Sequence, residues 1–314
     1  GKTSDPQIGF YSEGSHKVAD SPTCDILPEP INKAKEWLRE ILKKNQISVY
    51  NEGNHRGLVR GLVIRHSEST GEILVGMITN EGRFPRNFLA ELTEEKKLKE
   101  LGIVGIIQNI NPLATNVILG KENKLLWGKE RLTDKLADLI FHLSLGSFFQ
   151  IHSAQTLRLY DLIDNWANAA GDKSVVDAYS GSEGIALWLA AKGKKVIAIE
   201  QFESAMDDAR LSAETNGITS CQFLAGSVEE HAPQVVSEEK VHTFIIDPPR
   251  KGCSESVIKT LLKSQPEQII YVSCNPSTLA RDLERLEGYK IHDMRVIDMF
   301  PQTQHIETAV YLKK

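Results

Sequence analysis

The sequence contains few cysteines and no closely spaced pair of them. Its four cysteines are scattered over 314 residues, at Cys24, Cys221, Cys253 and Cys274. The Cys-x-x-Cys spacing typical of zinc sites and redox centres does not occur. A chain of this length can also form a hydrophobic core without disulfide bonds. We therefore expect reduced thiols in a cytoplasmic protein, and no metal site.

Long apolar runs and a secretion leader are also missing. Lys or Glu interrupts every apolar run well before it reaches the length that spans a membrane. No basic segment followed by an apolar one marks secretion. We expect no membrane partner. Because the sequence opens at Gly1-Lys2 rather than at Met, we expect it to be part of a longer protein.

The chain has no excess of positive charge. Its formal net charge is −5, but residues 1–145 carry 20 Lys and Arg against 19 Asp and Glu, while residues 146–314 carry 17 against 23. Phosphate binding requires a local basic face rather than a basic total. The charge therefore neither excludes nor indicates a nucleic-acid partner.

Hydrophobic periodicity divides the chain into two regions. Before residue 135, apolar residues at helical spacing predict helices over 31–44 and 94–101, and alternation predicts strands over 58–65, 72–78 and 105–110. This region reads as a small mixed α+β domain, residues 1–135.

The second region, residues 136–314, alternates strands with helices, the pattern of an α/β domain with a parallel sheet covered on both faces. Strands are predicted near 174–178, 195–199, 220–224, 241–246 and 268–273, and helices over 153–169, 184–192, 203–215, 254–263 and 277–286. The last two strands, 289–298 and 306–312, leave no room for a helix between them and predict an antiparallel hairpin at the sheet edge.

Polar residues follow several of these strands, where ligands of such sheets bind. They are the turn Asp177-Ala178-Tyr179-Ser180-Gly181, then Glu200, then Asp247-Pro248-Pro249. A carboxylate such as Glu200 can hold both ribose hydroxyls of an adenosine. Taken singly, Asp177 or Glu200 would be an ordinary polar loop residue. A nicotinamide dinucleotide requires Gly-x-Gly-x-x-Gly, whereas Gly181-Ser182-Glu183-Gly184 puts an acid where a pyrophosphate would lie. S-adenosylmethionine (SAM), a nucleoside without a phosphate, fits this turn better than a dinucleotide does.

Two further motifs carry reactive groups. Strand 268–273 leads into Ser273-Cys274-Asn275-Pro276, where a helix begins, and a helix amino terminus is expected to lower the pKa of the thiol. The segment from Pro301 to Thr308 joins the last two strands and contains Glu307. The usual alternative interpretation of a free cysteine is a buried, inert side chain. This interpretation fits Cys221 better than it fits Cys274.

The motifs together resemble the bacterial RNA (uracil-C5)-methyltransferases. The resemblance covers essentially the whole chain, and residues 8–24 are similar to the 23S ribosomal RNA branch rather than the transfer RNA branch. The matching segments, in order, are Phe148-Phe149-Gln150, Asp177 to Gly181, Asp247-Pro248-Pro249-Arg250, Tyr271 to Pro276, Asp298-Met299-Phe300-Pro301, and Gln302-Thr303-Gln304-His305-Ile306-Glu307-Thr308.

This resemblance implies a Rossmann-like, class I SAM-dependent methyltransferase domain preceded by an RNA-facing central domain. It implies that Cys274 is the nucleophile and that Glu307 is the base. It also implies that four residues contact SAM: Gln150, Tyr179, Glu200 and Asp247. The implied partner is RNA, 23S ribosomal RNA above all, and we expect a monomer. Arg56, Arg60, Arg65, Arg83 and Arg86 are the expected phosphate contacts of the central domain.

The sequence departs from the family pattern at two places. The cofactor turn of relatives carries glycine where this chain has Glu183, which could change how the loop covers the methionine part of SAM. Relatives also begin with a TRAM β-barrel and a cysteine run that, with one later cysteine, holds a [4Fe–4S] cluster. Cys24 aligns with that later ligand, and a single thiolate cannot hold such a cluster. We expect none in this chain.

Three other functions remain open from the sequence. RNA cytosine-C5 methylation also uses a thiolate on C6 and a second cysteine, for which Cys253 is available. A catalytically silent RNA-binding protein on the same scaffold would usually lose Cys274 or Glu307, both of which are present. Adenine-N6 methylation fits poorly, because Arg250 stands where an aromatic residue would stack the base.

Overall fold

The computed structural model describes residues 6–167, 173–182 and 184–314, which form two compact units. The first unit comprises Gly1–Lys135 with Ser144–Gly146, and the second Leu136–Leu143 with Ser147–Lys314. The end of the predicted helix 153–169, at residues 168–169, and Glu183 lie outside the described residues. Each unit has a core of its own.

The first unit is built on a mixed sheet of four strands in the order β3-β4-β5-β6, in which only β4 and β5 are parallel. Its strands are β1 (Gly9–Tyr11), β2 (Val18–Asp20), β3 (Val59–His66), β4 (Ile73–Thr79), β5 (Ile103–Ile110) and β6 (Glu122–Gly128). Its helices are α1 (Glu29–Lys44), α2 (Arg86–Leu92) and α3 (Glu95–Leu101).

Helix α1 forms because its apolar residues recur on one face. Ala34, Leu38, Ile41 and Leu42 are buried in one cluster with residues of β4 and β5, while the rest of the helix is largely polar. Pro30 stands in the first turn, where its missing N–H costs nothing. The core of this unit therefore lies between α1 and the sheet.

The second unit contains a seven-stranded sheet. Two short strands, β7 (Leu132–Leu136) and β8 (Leu139–Leu143), precede it. Its strands are β9 (Ser174–Ala178), β10 (Lys195–Glu200), β11 (Cys221–Ala225), β12 (Val241–Ile246), β13 (Gln268–Ser273), β14 (Lys290–Ile297) and β15 (Glu307–Lys313). Its helices are α4 (Ser153–Trp166), α5 (Gly184–Ala191), α6 (Glu203–Thr215), α7 (Val228–Glu238), α8 (Glu255–Ser264) and α9 (Pro276–Arg285).

The strand order is β11-β10-β9-β12-β13-β15-β14, with β9 to β13 parallel. The chain runs outward from β9 to β11 and then returns to place β12 on the other side of β9. Strand order therefore reverses between β9 and β12, and the crevice at their carboxyl ends is where this type of sheet binds ligands.

The predicted closing hairpin is confirmed. Strand β15 pairs antiparallel with β13 on one side and with β14 on the other, so that β14 is the edge strand. The sequence reading was wrong in leaving out α7, a helix whose capping box joins Ser227 and Glu230. It also missed α2 and β6 in the first unit.

Candidate active site

Cys274 lies at the carboxyl end of β13, directly before α9. The side chain of Asn275 caps this helix by accepting a hydrogen bond from the N–H of Ser277 at 3.0 Å, and Pro276 occupies its first turn. The cap fixes the point at which strand becomes helix. The thiol is consequently held at the end of the strand, half-buried.

Glu307 is brought to Cys274 by the register of the antiparallel pair. Ser273 is opposite Thr308, so Cys274 and Glu307 are the next two residues along the same pair of strands. Residues opposite each other in an antiparallel pair point to the same face of the sheet. The predicted nucleophile and base are therefore neighbours because of the sheet, although 32 positions separate them in the sequence.

The carboxyl group of Glu307 is buried without being fully satisfied. The residue is 4% exposed, and its Oε1 has no hydrogen-bond partner. Burial, and secondly the charge of Asp247, raise its pKa to about 8. Such a group is mostly protonated at pH 7 and ionises within about one pH unit of it, so it can exchange a proton there, as a general base requires.

Asp177 and Asp247 complete an acidic cluster with Glu307, and we use that name for these three residues. Asp177, within β9, is fully buried, and neither carboxylate oxygen has a hydrogen-bond partner of normal geometry. Burial raises the pKa of Asp177 well above its usual range, as does the charge of Asp247, while the nearby backbone N–H of Ala186 has the opposite effect. Burial raises the pKa of Asp247 to about 7.

The pKa of the Cys274 thiol is raised, so the expectation of a lowered value was wrong. Burial is the largest cause, followed by the charges of Glu307 and Asp247, and the guanidinium of Arg250 only partly offsets them. The amino terminus of α9 does not outweigh two carboxyls that face the sulfur. A thiolate at Cys274 therefore requires these carboxyls to be protonated or a cation to be bound nearby.

Arg250 and His305 form a second contact at the site. The Nη2 of Arg250 donates to Nε2 of His305 at 3.3 Å. The carbonyl of Arg250 accepts hydrogen bonds from Nδ2 of Asn275 at 3.0 Å and from the hydroxyl of Thr278 at 3.2 Å. The first turn of α9 therefore holds the loop after β12 in place and keeps a cation beside the Cys274 sulfur.

The turn after β9 and the end of β10 form the other half of the crevice. Tyr179 and Gly181 have left-handed backbone conformations, with φ of 63° and 61°. For Tyr179, this conformation is a local strain of the kind that occurs at ligand sites. The carboxylate of Glu200 accepts hydrogen bonds from the N–H of Gly181 at 3.0 Å and of Phe202 at 2.9 Å, and it is 6% exposed.

The predicted cofactor residues differ in where their side chains lie. Gln150 is half-buried, and its Oε1 is buried without a partner, as expected of an atom that meets a ligand. Glu200 ends β10 and Asp247 directly follows β12, and these are the two strands that flank β9. The ring of Tyr179 packs against the core cluster, and burial, then the charge of Cys253, then Glu229, raise the pKa of its hydroxyl. The unpaired polar atoms and the strained turn are suited to binding SAM, whose ammonium, hydroxyl and sulfonium groups would contact them.

Comparison with known proteins identifies the family. The family model for tRNA (uracil-5-)-methyltransferases matches residues 110–314, about two thirds of the chain. The chain belongs to this family. An uncharacterised RNA methyltransferase of Clostridium tetani is 38% identical over 97% of this chain and 66% of its own length. An uncharacterised RNA methyltransferase of Halalkalibacterium halodurans is 40% identical, over 97% of this chain and 67% of its own length. The chain thus spans about two thirds of these relatives.

Solved structures agree with this assignment. The tRNA (uracil-54, C5)-methyltransferase of Pyrococcus abyssi, in complex with S-adenosyl-L-homocysteine, is 31% identical, with a TM-score of 0.80 over 94% of this chain and 70% of that chain. A putative SAM-dependent methyltransferase from Streptococcus mutans, 14% identical, has a TM-score of 0.52 over 94% of this chain and 84% of that chain, and it shares the fold. The predicted SAM-dependent methyltransferase fold is confirmed.

Within this family fold, Cys253 has no place in the crevice. It is 4% exposed and lies in the core of the second unit. Its N–H donates to the carboxylate of Asp282 at 2.8 Å, and burial raises the pKa of its thiol to about 12. The second cysteine that cytosine-C5 methylation would use is therefore unreactive. Cys221, expected to be buried, is partly exposed at the start of the edge strand β11.

Sequence reasoning missed Tyr160. This residue of α4 is 4% exposed, and burial raises the pKa of its hydroxyl, as do the charges of Asp247 and Asp177. A side chain on Gly184 would meet the hydroxyl at 2.0 Å, so glycine at the start of α5 is what admits the ring. Tyr160 shares the buried face of α4 with Thr156 and Ile163, but no sequence signal linked it to the acids.

No membrane-crossing helix or metal site is found in the part of the chain that the structure describes. None of the helices there is long and apolar enough to cross a bilayer. Among residues 6–167, 173–182 and 184–314, no group of three His, Cys, Asp or Glu side chains could hold a metal ion.

Proposed function

We propose that this protein transfers the methyl group of SAM to C5 of a uridine in RNA, with Cys274 as the nucleophile and Glu307 as the base. The observation that carries the proposal is the register of β13 and β15, which makes these two residues neighbours and leaves one buried oxygen of Glu307 without a partner. A thiol beside a proton-accepting carboxyl is the pair that this reaction needs.

The chemistry assigns a separate step to each residue. Uracil C5 is too weak a nucleophile to take a methyl group unaided. Addition of the Cys274 thiolate to C6 gives an enolate, whose C5 carbon forms the bond to the methyl group as the methyl–sulfur bond breaks. SAM supplies an electrophilic methyl group on a sulfonium. Glu307 then removes the C5 proton, and the electrons of that C–H bond form the C5–C6 double bond as the Cys274 sulfur leaves.

The cofactor contacts proposed for the second unit follow from the crevice. Glu200 would accept hydrogen bonds from the ribose hydroxyls with the lone pairs that Gly181 and Phe202 leave free. Gln150 would use its unpaired Oε1 to accept a hydrogen bond from a donor of the ligand. Tyr179 would contact SAM through its strained backbone more than through its ring. Asp247 would be the residue of this set nearest the reacting atoms.

We further propose 23S ribosomal RNA as the substrate class. The support is the resemblance of residues 8–24 to that branch, whereas the Pyrococcus abyssi neighbour acts on uracil-54 of tRNA. The first unit would face the RNA, since Arg56, Arg83 and Arg86 are exposed. Arg60 instead donates to the carbonyl of Leu113 at 2.8 Å and lies 4.5 Å from the ring centre of Tyr50, so it stabilises its own unit.

The test is the identity of the methylated nucleoside. Purified protein, SAM and either 23S ribosomal RNA or total tRNA, both from cells unable to make 5-methyluridine, should give 5-methyluridine in the ribosomal RNA on digestion and mass spectrometry. Cys274→Ala should abolish transfer while S-adenosylhomocysteine still binds, because the thiol is needed only for the C6 adduct. Methylated tRNA alone would reject the substrate class, and 5-methylcytidine would reject the reaction.

Cys253→Ala is the matched control, since it removes a thiol of the same unit that lies in the core rather than in the crevice. We expect it to lower the free energy of unfolding by about 1–2 kcal/mol, as loss of a small buried side chain does, and to retain transfer. Loss of transfer by Cys253→Ala in a folded protein, with transfer retained by Cys274→Ala, would overturn the assignment of the nucleophile.

A further inference from the structure

The acidic cluster is a concentration of carboxyl groups without a matching cation among the described residues. Its three carboxyls come from one sheet: Asp177 lies within β9, Asp247 directly follows the adjacent strand β12, and Glu307 begins β15, which β13 separates from β12. Within residues 6–167, 173–182 and 184–314, none of them forms an ion pair. Buried carboxylates in this situation must either hold protons or meet a bound cation.

Two of the three side chains have buried oxygens without a hydrogen-bond partner of normal geometry. Both oxygens of Asp177 and the Oε1 of Glu307 are buried and unpaired, in residues 0% and 4% exposed. The charge of Asp247 acts on both. An unsatisfied buried carboxylate oxygen is costly, so these carboxyls, each under the influence of Asp247, favour either bound protons or a positively charged ligand.

The other charged and titratable groups around the cluster do not neutralise it. Tyr160 of α4 faces Asp247 and Asp177, and Glu200 of β10 adds negative charge to Asp177. On the β13 side, the neighbour is the thiol of Cys274. The guanidinium of Arg250 acts on this thiol and also contacts His305.

We propose that the acidic cluster senses the charge of the cofactor: it releases one proton when the sulfonium of SAM binds, and Glu307 regains one from uracil C5 when the sulfonium is consumed. This inference rests on the proposed function. SAM and its product S-adenosylhomocysteine differ by one positive charge at sulfur, and the cluster lies where that difference arises.

In this scheme every proton taken up or released during the reaction is accounted for. The protein with a protonated cluster binds SAM and gives one proton to solvent, so that Glu307 becomes a carboxylate only when the methyl donor is present. Methyl transfer removes the positive charge from sulfur, and Glu307 takes the C5 proton, which the cluster retains. Release of the neutral product returns the starting state, and the overall reaction yields methylated RNA, S-adenosylhomocysteine and one proton.

The sign of the pH dependence follows from these states. Below about pH 8 the free cluster is protonated, so binding of SAM must displace a proton, and its affinity rises as pH rises, by at most about tenfold per pH unit for one proton. Above that range the cluster is already ionised and the affinity levels off. S-adenosylhomocysteine carries no sulfonium, so its affinity should change much less.

Isothermal titration calorimetry measures the released proton directly. Titrations near neutral pH in phosphate and in Tris, buffers of different ionisation enthalpy, should show about one proton released with SAM and clearly less with S-adenosylhomocysteine. Sinefungin, which carries an amine in place of the methyl sulfonium, should behave as SAM does. Equal proton release by SAM and S-adenosylhomocysteine would overturn the proposal.

Variants separate the cluster from other acids. Glu307→Gln should bind SAM with reduced proton release and a flatter pH dependence of affinity. Glu238→Gln is the matched control: this exposed residue ends α7, which runs back to the amino edge of the sheet, and it should release the wild-type number of protons. Unchanged proton release in Glu307→Gln would also contradict the proposal. If neither SAM nor S-adenosylhomocysteine binds to the wild type, the proposed function itself fails, which is a different result from equal proton release.

Discussion

Individual carboxylates in this protein have different tasks because their partners differ. Glu200 is satisfied by two backbone N–H groups at 3.0 and 2.9 Å, so it is held as a fixed acceptor at the end of β10. Glu307 has one unpaired buried oxygen and a pKa raised to about 8. The first is suited to holding a ligand, and the second to exchanging a proton.

Replacing Glu200 with Ala should weaken the binding of S-adenosylhomocysteine by roughly 10- to 100-fold, because charged hydrogen bonds contribute about 1.5–3 kcal/mol. The measurement is calorimetry on the folded variant. Glu214→Ala, in the last turn of α6, removes an exposed carboxylate at the opposite end of that helix from Glu200 and should leave the affinity unchanged. Equal affinities of Glu200→Ala and the wild type would refute the ribose contact.

Some properties of individual residues at the site could be predicted from the sequence, and others could not. Cys274 and Glu307 could be named from their motifs, and Glu200 and Asp247 from their positions after strands. The raised pKa of the Cys274 thiol could not, because it depends on Glu307 and Asp247, which reach the sulfur only through folding. Tyr160 was missed for the same reason: its neighbours Asp177 and Asp247 come from distant parts of the chain.

Among the secondary-structure elements, α9 connects Cys274, the proposed nucleophile, with the cation beside it. Asn275 has two functions: its side-chain oxygen caps α9, and its Nδ2 holds the carbonyl of Arg250 at 3.0 Å. Ser254 caps α8 by accepting from the N–H of Val257 at 3.4 Å, and its hydroxyl donates to Glu229 at 2.7 Å; it has no contact with Arg250 among those described. The two helices therefore offer a matched comparison between capping and positioning.

Asn275→Ala and Ser254→Ala should each lower the free energy of unfolding by about 1 kcal/mol, the usual cost of a lost cap. Only Asn275→Ala should also lower kcat, since it frees the loop that carries Arg250, and KM for SAM should change little. Denaturant unfolding and steady-state methyl transfer measure the two effects. An equal loss of kcat in Ser254→Ala would show that capping, not positioning of Arg250, is what matters.

Elements with strong periodicity could be predicted to within a few residues, and those without it could not. Strand β13 and helix α1 have clear apolar patterns and were found. Helix α7 was missed because Pro233 interrupts a polar segment, although Ser227 and Glu230 at capping-box spacing mark its start. Strand β6 is mostly exposed, so no buried alternation marks it in the sequence.

For the whole molecule, the order of strands decides which motifs meet. Alternation of strands and helices predicts a parallel sheet, and the closing hairpin follows from the short connection between β14 and β15. The insertion of β15 between β13 and β14 could not be read from the sequence, because it depends on pairing between distant segments. Yet this insertion is what places Glu307 beside Cys274 and so creates the site.

The division of the whole chain into two units suggests a division of labour that we hold as a proposal. The second unit contains every residue assigned to the chemistry, and the first contains the exposed arginines proposed to face RNA. Phosphate contacts would make RNA binding strongly dependent on salt. The target uridine must lie in a loop or leave its stack, since a thiol in a crevice cannot reach a base inside a stem.

The most direct test of the central claim is to trap the covalent intermediate. Glu307→Gln, incubated with SAM and substrate RNA, should accumulate a protein–RNA species that survives denaturant, because the methylated adduct forms but loses its C5 proton slowly. Peptide mass spectrometry should place the methylated nucleotide on Cys274, and the double variant with Cys274→Ala should give no such species. Turnover by Glu307→Gln at the wild-type rate without any adduct, or an adduct on another residue, would contradict the account.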